Sequence, residues 1–263
     1  MAHELNLVKG GPAVIRNLPL DTPEIWQARV DLAACLRMAA RFGLEEGICN
    51  HFSAVVPGHP DLFIVNRLGF AFAEATASSL LICDYEGRVI LGDGVPEATA
   101  FFIHAMLHKR MPRVGAAFHT HMPYATALSM VEGDPFVYAG QTSLKFYGRV
   151  AVDENYNGLA LDETEGDRIA SVIGDKDIVF MRNHGVMVCA PNIAEAWDDL
   201  YYLERAAEVQ VKAMSTGRKL IPVPEHIAIE AAKQMREGDP ESARMHLESL
   251  RRVLDREAPE YRT

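Results

Sequence analysis

The sequence predicts an α/β protein built as one large domain, and three observations predict it. The chain has 263 residues, enough to bury a sizeable core. Apolar residues make up 49% and charged residues 24%, the balance of an ordinary globular protein. Segments with a helical period alternate along the chain with short runs suited to strands.

Residues 1–20 carry no period and contain Gly10, Gly11, Pro12 and Pro19, so an N-terminal arm is expected there. The main domain is expected over 21–217. Thr22 can cap a helix and Pro23 suits its first position. Trp26, Val30, Ala33, Leu36 and Ala40 then recur every three or four residues until Gly43. Strands are predicted at His51–Val56, at Leu62–Val65 after the turn GHPD, and at Leu80–Asp84 and Val89–Leu91 across YEGR. A second helix starts near Pro96 and ends at Met111-Pro112. Val114–His119 reads as a strand, Tyr124–Val131 as a helix and Tyr147–Val152 as a strand. A helix over 163–173 precedes Gly174. Asp177–Arg182 and Val186–Cys189 read as a strand pair interrupted by NHG, and a long amphipathic helix runs from Ile193 to about Thr216. Residues 218–263, rich in Glu, Arg and Pro, are expected to form short peripheral helices as an extension of the same domain.

The formal net charge is −10, which leaves no basic surplus to neutralise phosphates and argues against nucleic acid as the main partner. Cys35, Cys49, Cys83 and Cys189 form no CxxC pair and read as mostly buried free thiols. No cationic-then-apolar leader and no run of about 18 apolar residues is present, so no membrane partner is expected and a cytoplasmic protein is the default.

The stretch VGAAFHTHMPY (Val114–Tyr124) carries the strongest chemical signal. If Val114–His119 is a strand, its two-residue period puts His119 and His121 on one face, at the strand end where α/β proteins build sites. His184, in RNHGV, sits on a turn beside Gly185 and is the candidate third ligand. Three imidazoles leave positions open for substrate on a catalytic metal. Most of the other histidines need no special explanation. His3, His226 and His246 lie in polar segments and are expected to be solvated.

With HTH at 119–121, a preceding helix containing Ile103-His104, and RNHGV at 182–186, the chain resembles the class II aldolase/adducin family, in its adducin-like bacterial branch. GICNHFS at 47–53, NRLGFAFAEATASSLLICDYEGRVI at 66–90, LKFYGRVAV at 144–152 and AEAWDDLYYLERAAEVQ at 194–210 extend the resemblance over about residues 25–215. The resemblance implies a three-layer α/β/α fold with a mainly antiparallel sheet, and a homo-oligomer, commonly a tetramer. It implies one divalent metal ion per chain, zinc first and manganese, cobalt or iron as alternatives, held by His119, His121 and His184. Such a metal is a Lewis acid that stabilises an enolate as a C–C bond breaks.

The resemblance also shows departures. Four residues before His104, where the family's sugar-phosphate aldolases carry an acid/base Glu, this chain has Ala100. Glu97, one turn earlier, is the candidate replacement, or a carboxylate that only serves the helix start. The aldolases' Ser pair falls at Ala98 and Thr99, and their Thr-Gly turn at Leu68-Gly69, so fewer donors remain for a phosphate. A small non-phosphorylated hydroxy-acid, aromatic ones included, is the expected substrate. Gly69 and Arg67 are candidate substrate contacts, and Lys145 and Arg149 are further cations near matched loops. Asn50 is a candidate substrate contact or a turn-fixing residue, and His51 a candidate acid/base. Family aldolases use a Tyr of a neighbouring subunit as proton donor; Tyr138, Tyr147 and Tyr156 lie in the relevant stretch, with Tyr138 the candidate. The expected function is a metal-dependent lyase, by retro-aldol cleavage or decarboxylation. The alternatives are a non-catalytic adducin-like assembly module and a non-haem iron oxygenase on the same scaffold.

Overall fold

The computed structural model describes residues 18–155, 158 and 163–263. Most of the expected N-terminal arm, and Tyr156, lie outside the described residues. Helix α1 (Pro23–Phe42) begins as its sequence dictates, with Thr22 Oγ1 accepting from the Ile25 amide, and stops where Gly43 turns left-handed at φ 68°. Its buried face runs through Ile25, Arg29, Val30, Ala33 and Leu36, whereas Trp26 is exposed, with the Arg29 guanidinium over its ring.

The strands are β1 (His51–Val56), β2 (His59–Val65), β3 (Leu81–Asp84), β4 (Val89–Leu91), β5 (Ala116–Thr120), β6 (Val150–Asp153), β7 (Ile178–Met181) and β8 (Gly185–Ala190). They form one sheet in the order β4-β3-β2-β1-β5-β8-β7-β6. Every pairing is antiparallel except β6 with β7. The helices are α1, α2 (Ala98–Arg110), α3 (Pro123–Ser129), α4 (Gln141–Leu144), α5 (Glu163–Ile173), α6 (Ile193–Met214) and α7 (Glu225–Glu257). The four-residue α4 has no counterpart among the elements expected from the sequence.

Strand alternation divides the core into two layers. Phe52, Ala54, Phe118, Phe180 and Val188 pack with α1, α6 and α7. Ala117, Val179, Met187 and Cys189 pack with α2 and α5 on the opposite face, where Phe63, Val65, Leu81 and Cys83 also meet α2. The α/β/α sandwich follows from this. His51 and Ser53 alternate with Phe52 and Ala54, so they face α2.

The C-terminal segment departs from the expectation of short peripheral helices. α7 is one helix of 33 residues with Pro240 inside it. A proline removes one backbone hydrogen bond and crowds the preceding turn. The helix continues because both halves are anchored: Ala228 and Ala232 are buried before the proline, and Ala243, Leu247, Leu250 and Leu254 after it. His246 is not solvated as expected: its Nδ1 lies 2.7 Å from Asp198 Oδ1, and its Nε2 accepts from the Trp197 indole. Among the described residues, no helix is long and apolar enough to cross a membrane.

Candidate metal centre and active site

Sheet order brings the site together. β5 lies between β1 and β8, and the register sets His51 opposite His119 and Thr120 opposite Val186. β7 and β8 are joined by the three-residue turn Arg182-Asn183-His184. Asn183 takes φ 57°, a conformation that Asn tolerates better than most residues. The turn delivers His184 beside the end of β5. Gly185 is required there, because a Cβ would lie 2.6 Å from the Thr120 carbonyl oxygen and 2.9 Å from the His121 ring.

One nitrogen from each of His119, His121 and His184 falls within 4.8 Å of the others. His119 Nδ1 donates to the Val186 carbonyl at 2.9 Å, and His121 Nδ1 lies 2.6 Å from Glu46 Oε2. Both Nδ1 atoms are thereby engaged, and the two Nε2 atoms face each other at 3.2 Å. Two imidazole lone pairs at that distance repel unless a cation lies between them. A proton could bridge two nitrogens, but the convergent third imidazole suits a metal ion better. Burial lowers the pKa of His119 well below its ordinary value and that of His184 to about 4, which keeps both rings neutral and able to ligate. The donor set fits a divalent ion, with a backbone carbonyl and a carboxylate orienting two of its ligands.

A second set of histidines lies behind the first. His51 Nδ1 is 2.9 Å from His104 Nε2; His104 Nδ1 is 2.5 Å from Ser53 Oγ; Ser53 Oγ is 2.7 Å from His108 Nε2; and His108 Nδ1 is 3.0 Å from the Val114 carbonyl. All four side chains are buried. His104 and His108 are one turn apart on α2, and His51 and Ser53 share one face of β1. That double spacing was the available signal. It becomes a chain only when α2 packs on β1.

His51 and the three candidate ligands, but not His104 or His108, line a cleft of about 370 Å³ with Cys49, Leu68, Glu97, Ile103 and Met181. Asn50 serves two ends at once. Its Oδ1 accepts from the Glu46 amide at 2.6 Å and fixes the turn before β1, while its buried Nδ2 has no hydrogen-bond partner. Glu97 caps α2: its Oε2 accepts from the Ala100 amide at 2.9 Å and from Thr99 Oγ1 at 2.5 Å. Gly69 holds φ 83° in the loop after β2, a backbone that favours glycine. Arg67 does not line the cleft. Its guanidinium lies over the Phe70 ring and 3.7 Å from Asp93. Tyr138 also lies outside the cleft of its own chain; its hydroxyl donates to the Phe146 carbonyl, and burial pushes its pKa up to about 12.

Lys145 and Arg149 are neither surface charges nor cleft cations. Lys145 Nζ lies within 3.3 Å of Asp198, Asp199 and Asp239, and Arg149 bonds Asp177 and Asp199, joining α4, α6 and α7. The cations that do line the cleft are Arg168 and Arg182. Arg168 makes a bidentate pair with Asp153 at 2.6 Å and also bonds Glu165. Arg182 donates to Glu154 and to the carbonyls of Val131 and Gly133.

Residues 30–211 match the model of the class II aldolase and adducin N-terminal domain. The chain belongs to this family. A Caulobacter vibrioides protein placed among the class 2 aldolases is 36% identical over 240 residues, 90% of this chain and 92% of that protein. A solved aldolase II superfamily protein from Pseudomonas syringae superposes with a TM-score of 0.86 at 33% identity, covering 92% of this chain and 97% of that one. The L-fuculose 1-phosphate aldolase from Glaciozyma antarctica PI12 gives 0.81 at 27% identity over 97% and 100%. The decarboxylase NovR of Streptomyces niveus is 28% identical over 76% of this chain and 73% of its own length, and an adducin-related protein of Schizosaccharomyces pombe is 34% identical over 74% of this chain and 62% of its own.

Proposed function

We propose that this member of the class II aldolase/adducin family is a metal-dependent carbon–carbon lyase acting on a small, non-phosphorylated hydroxy-acid, by retro-aldol cleavage or decarboxylation. The observation that carries the reading is the convergence of His119, His121 and His184 on one point, with the Nδ1 atoms of the first two already committed to Val186 and Glu46. A divalent ion bound there, zinc in the first instance, supplies a Lewis acid for electron density released at the breaking bond. The family's aldolases and its decarboxylase support a lyase over a purely assembling module, as does an intact ligand set.

The chain's own residues then divide the work. Asn50 does not itself line the cleft but lies between Cys49 and His51, which do, and its buried, unpartnered Nδ2 makes it the candidate hydrogen-bond donor to the substrate. Leu68, Ile103 and Met181 give the cleft an apolar wall that suits an aromatic or aliphatic acid and excludes water. His51 lines the cleft as the acid/base candidate, and Glu97, at its rim, as a second. Gly69 and Arg67 shape the loop that carries Leu68. Tyr138 is assigned to the cleft of a neighbouring subunit of a homo-oligomer, because it does not line the cleft of its own chain.

The test is direct. Purified protein is expected to hold about one divalent metal per chain, and His119→Ala with His121→Ala to abolish it; full retention in the double variant refutes the site. Metal-loaded protein is then incubated with hydroxy-acids and hydroxylated aromatic acids. Release of CO₂ identifies a decarboxylase and release of an aldehyde an aldolase. No turnover across the panel favours the assembly module.

A further inference from the structure

The hydrogen bonds behind the metal centre can run in only one direction. The Val114 carbonyl is an acceptor and nothing else, so His108 Nδ1 must carry the proton it donates. His108 Nε2 is then bare and accepts from the Ser53 hydroxyl. With its proton spent on His108, Ser53 Oγ accepts from His104 Nδ1–H. His104 Nε2 is left bare and accepts from His51 Nδ1–H. The last atom of the series is His51 Nε2, which has no proton. We propose that Ser53, His104 and His108 are positioning residues that fix the tautomer of His51, so that it presents an Nε2 lone pair to the cleft.

The alternative polarity fails on one group. Reversing every bond would require the Val114 carbonyl to donate a proton. At the far end of the chain, burial supports the neutral form that the bonding requires, holding His108 at about 4. Packing holds the geometry, since His104, Ser53 and His108 are sealed between α2 and β1. A fixed acceptor beside the metal ligands suits a substrate hydroxyl, which can donate to it, and disfavours a carboxylate, which cannot. The inference deepens the lyase reading and rests on His51 lining the same cleft as the three metal ligands.

The experiment reads the tautomer and not turnover. Zinc-loaded protein labelled with ¹⁵N-histidine is examined at neutral pH by two-bond ¹H–¹⁵N correlation, which separates protonated from bare ring nitrogens. His51 is expected to show Nδ1 protonated and Nε2 bare. Ser53→Ala should abolish that single pattern with zinc stoichiometry unchanged, and Ser53→Thr should restore it. A protonated His51 Nε2 in the unaltered protein overturns the proposal, as does an unchanged pattern in a folded Ser53→Ala protein. If Ser53→Ala does not fold, the unaltered protein and Ser53→Thr still decide it. Failure to bind zinc would instead refute the metal reading, and the His51 pattern remains readable in metal-free protein.

Discussion

Glu46 should tune the metal site without touching the metal. Its Oε2 lies 2.6 Å from His121 Nδ1, and its side chain is 68% exposed. Carboxylates that orient a ligating imidazole contribute about 10- to 100-fold in metal affinity. Exposure places Glu46 at the weak end of that range, because water screens an exposed charge. Glu46→Ala removes both the acceptor and the charge, and should weaken zinc about tenfold, equivalent to about 1.4 kcal/mol. Glu46→Gln keeps an acceptor for the Nδ1–H and loses only the charge, so its effect should be smaller than that of Ala. The assay is competition with a chromophoric chelator at fixed pH, with Glu86→Gln, a carboxylate on the β3–β4 turn, as the control. Zinc affinity unchanged in Glu46→Ala would show that the contact does not orient His121 as a ligand.

Acid should expose the buried His108. Its pKa falls from 6.5 in the unfolded chain to about 4 in the fold, chiefly through burial. Below pH 6.5 the unfolded chain takes up a proton that the folded chain does not, so this stability is present above 6.5 and is lost as pH falls towards 4. The loss amounts to about 2.5 kcal/mol by pH 4.5; urea unfolding of metal-free protein should show a shallower acid slope in His108→Gln, and parallel slopes would refute the assignment. Gly185→Ala should cost about 2 kcal/mol and weaken zinc binding, because its Cβ meets the Thr120 carbonyl and the His121 ring; an unchanged melting temperature would contradict the close approach of β8 to β5. Glu97→Gln keeps a cap acceptor for α2, so stability should hold while turnover falls at least about 100-fold. Unchanged turnover would return Glu97 to capping alone.

Local chemistry determined much of this molecule from the sequence. Thr22-Pro23 and Gly43 bound the first helix, alternation and turn residues locate the strands, and the HTH and NHG motifs single out the three candidate ligands. Each of these depends on neighbours a few residues away, which a sequence displays directly. Pro240 misled for the same reason: locally it breaks a helix, and only the apolar anchors on both sides of it carry α7 through. The pairing of Lys145 and Arg149 with Asp177, Asp198, Asp199 and Asp239 joins residues up to 94 positions apart and has no local trace. The same holds for the chain behind the metal centre. The spacing of His104 with His108 and of His51 with Ser53 is visible in sequence, but their hydrogen bonds acquire a direction only when α2 seals them against β1, near a carbonyl that can only accept. Residue type and spacing selected the ligands; burial and long-range packing decided how their protons are arranged.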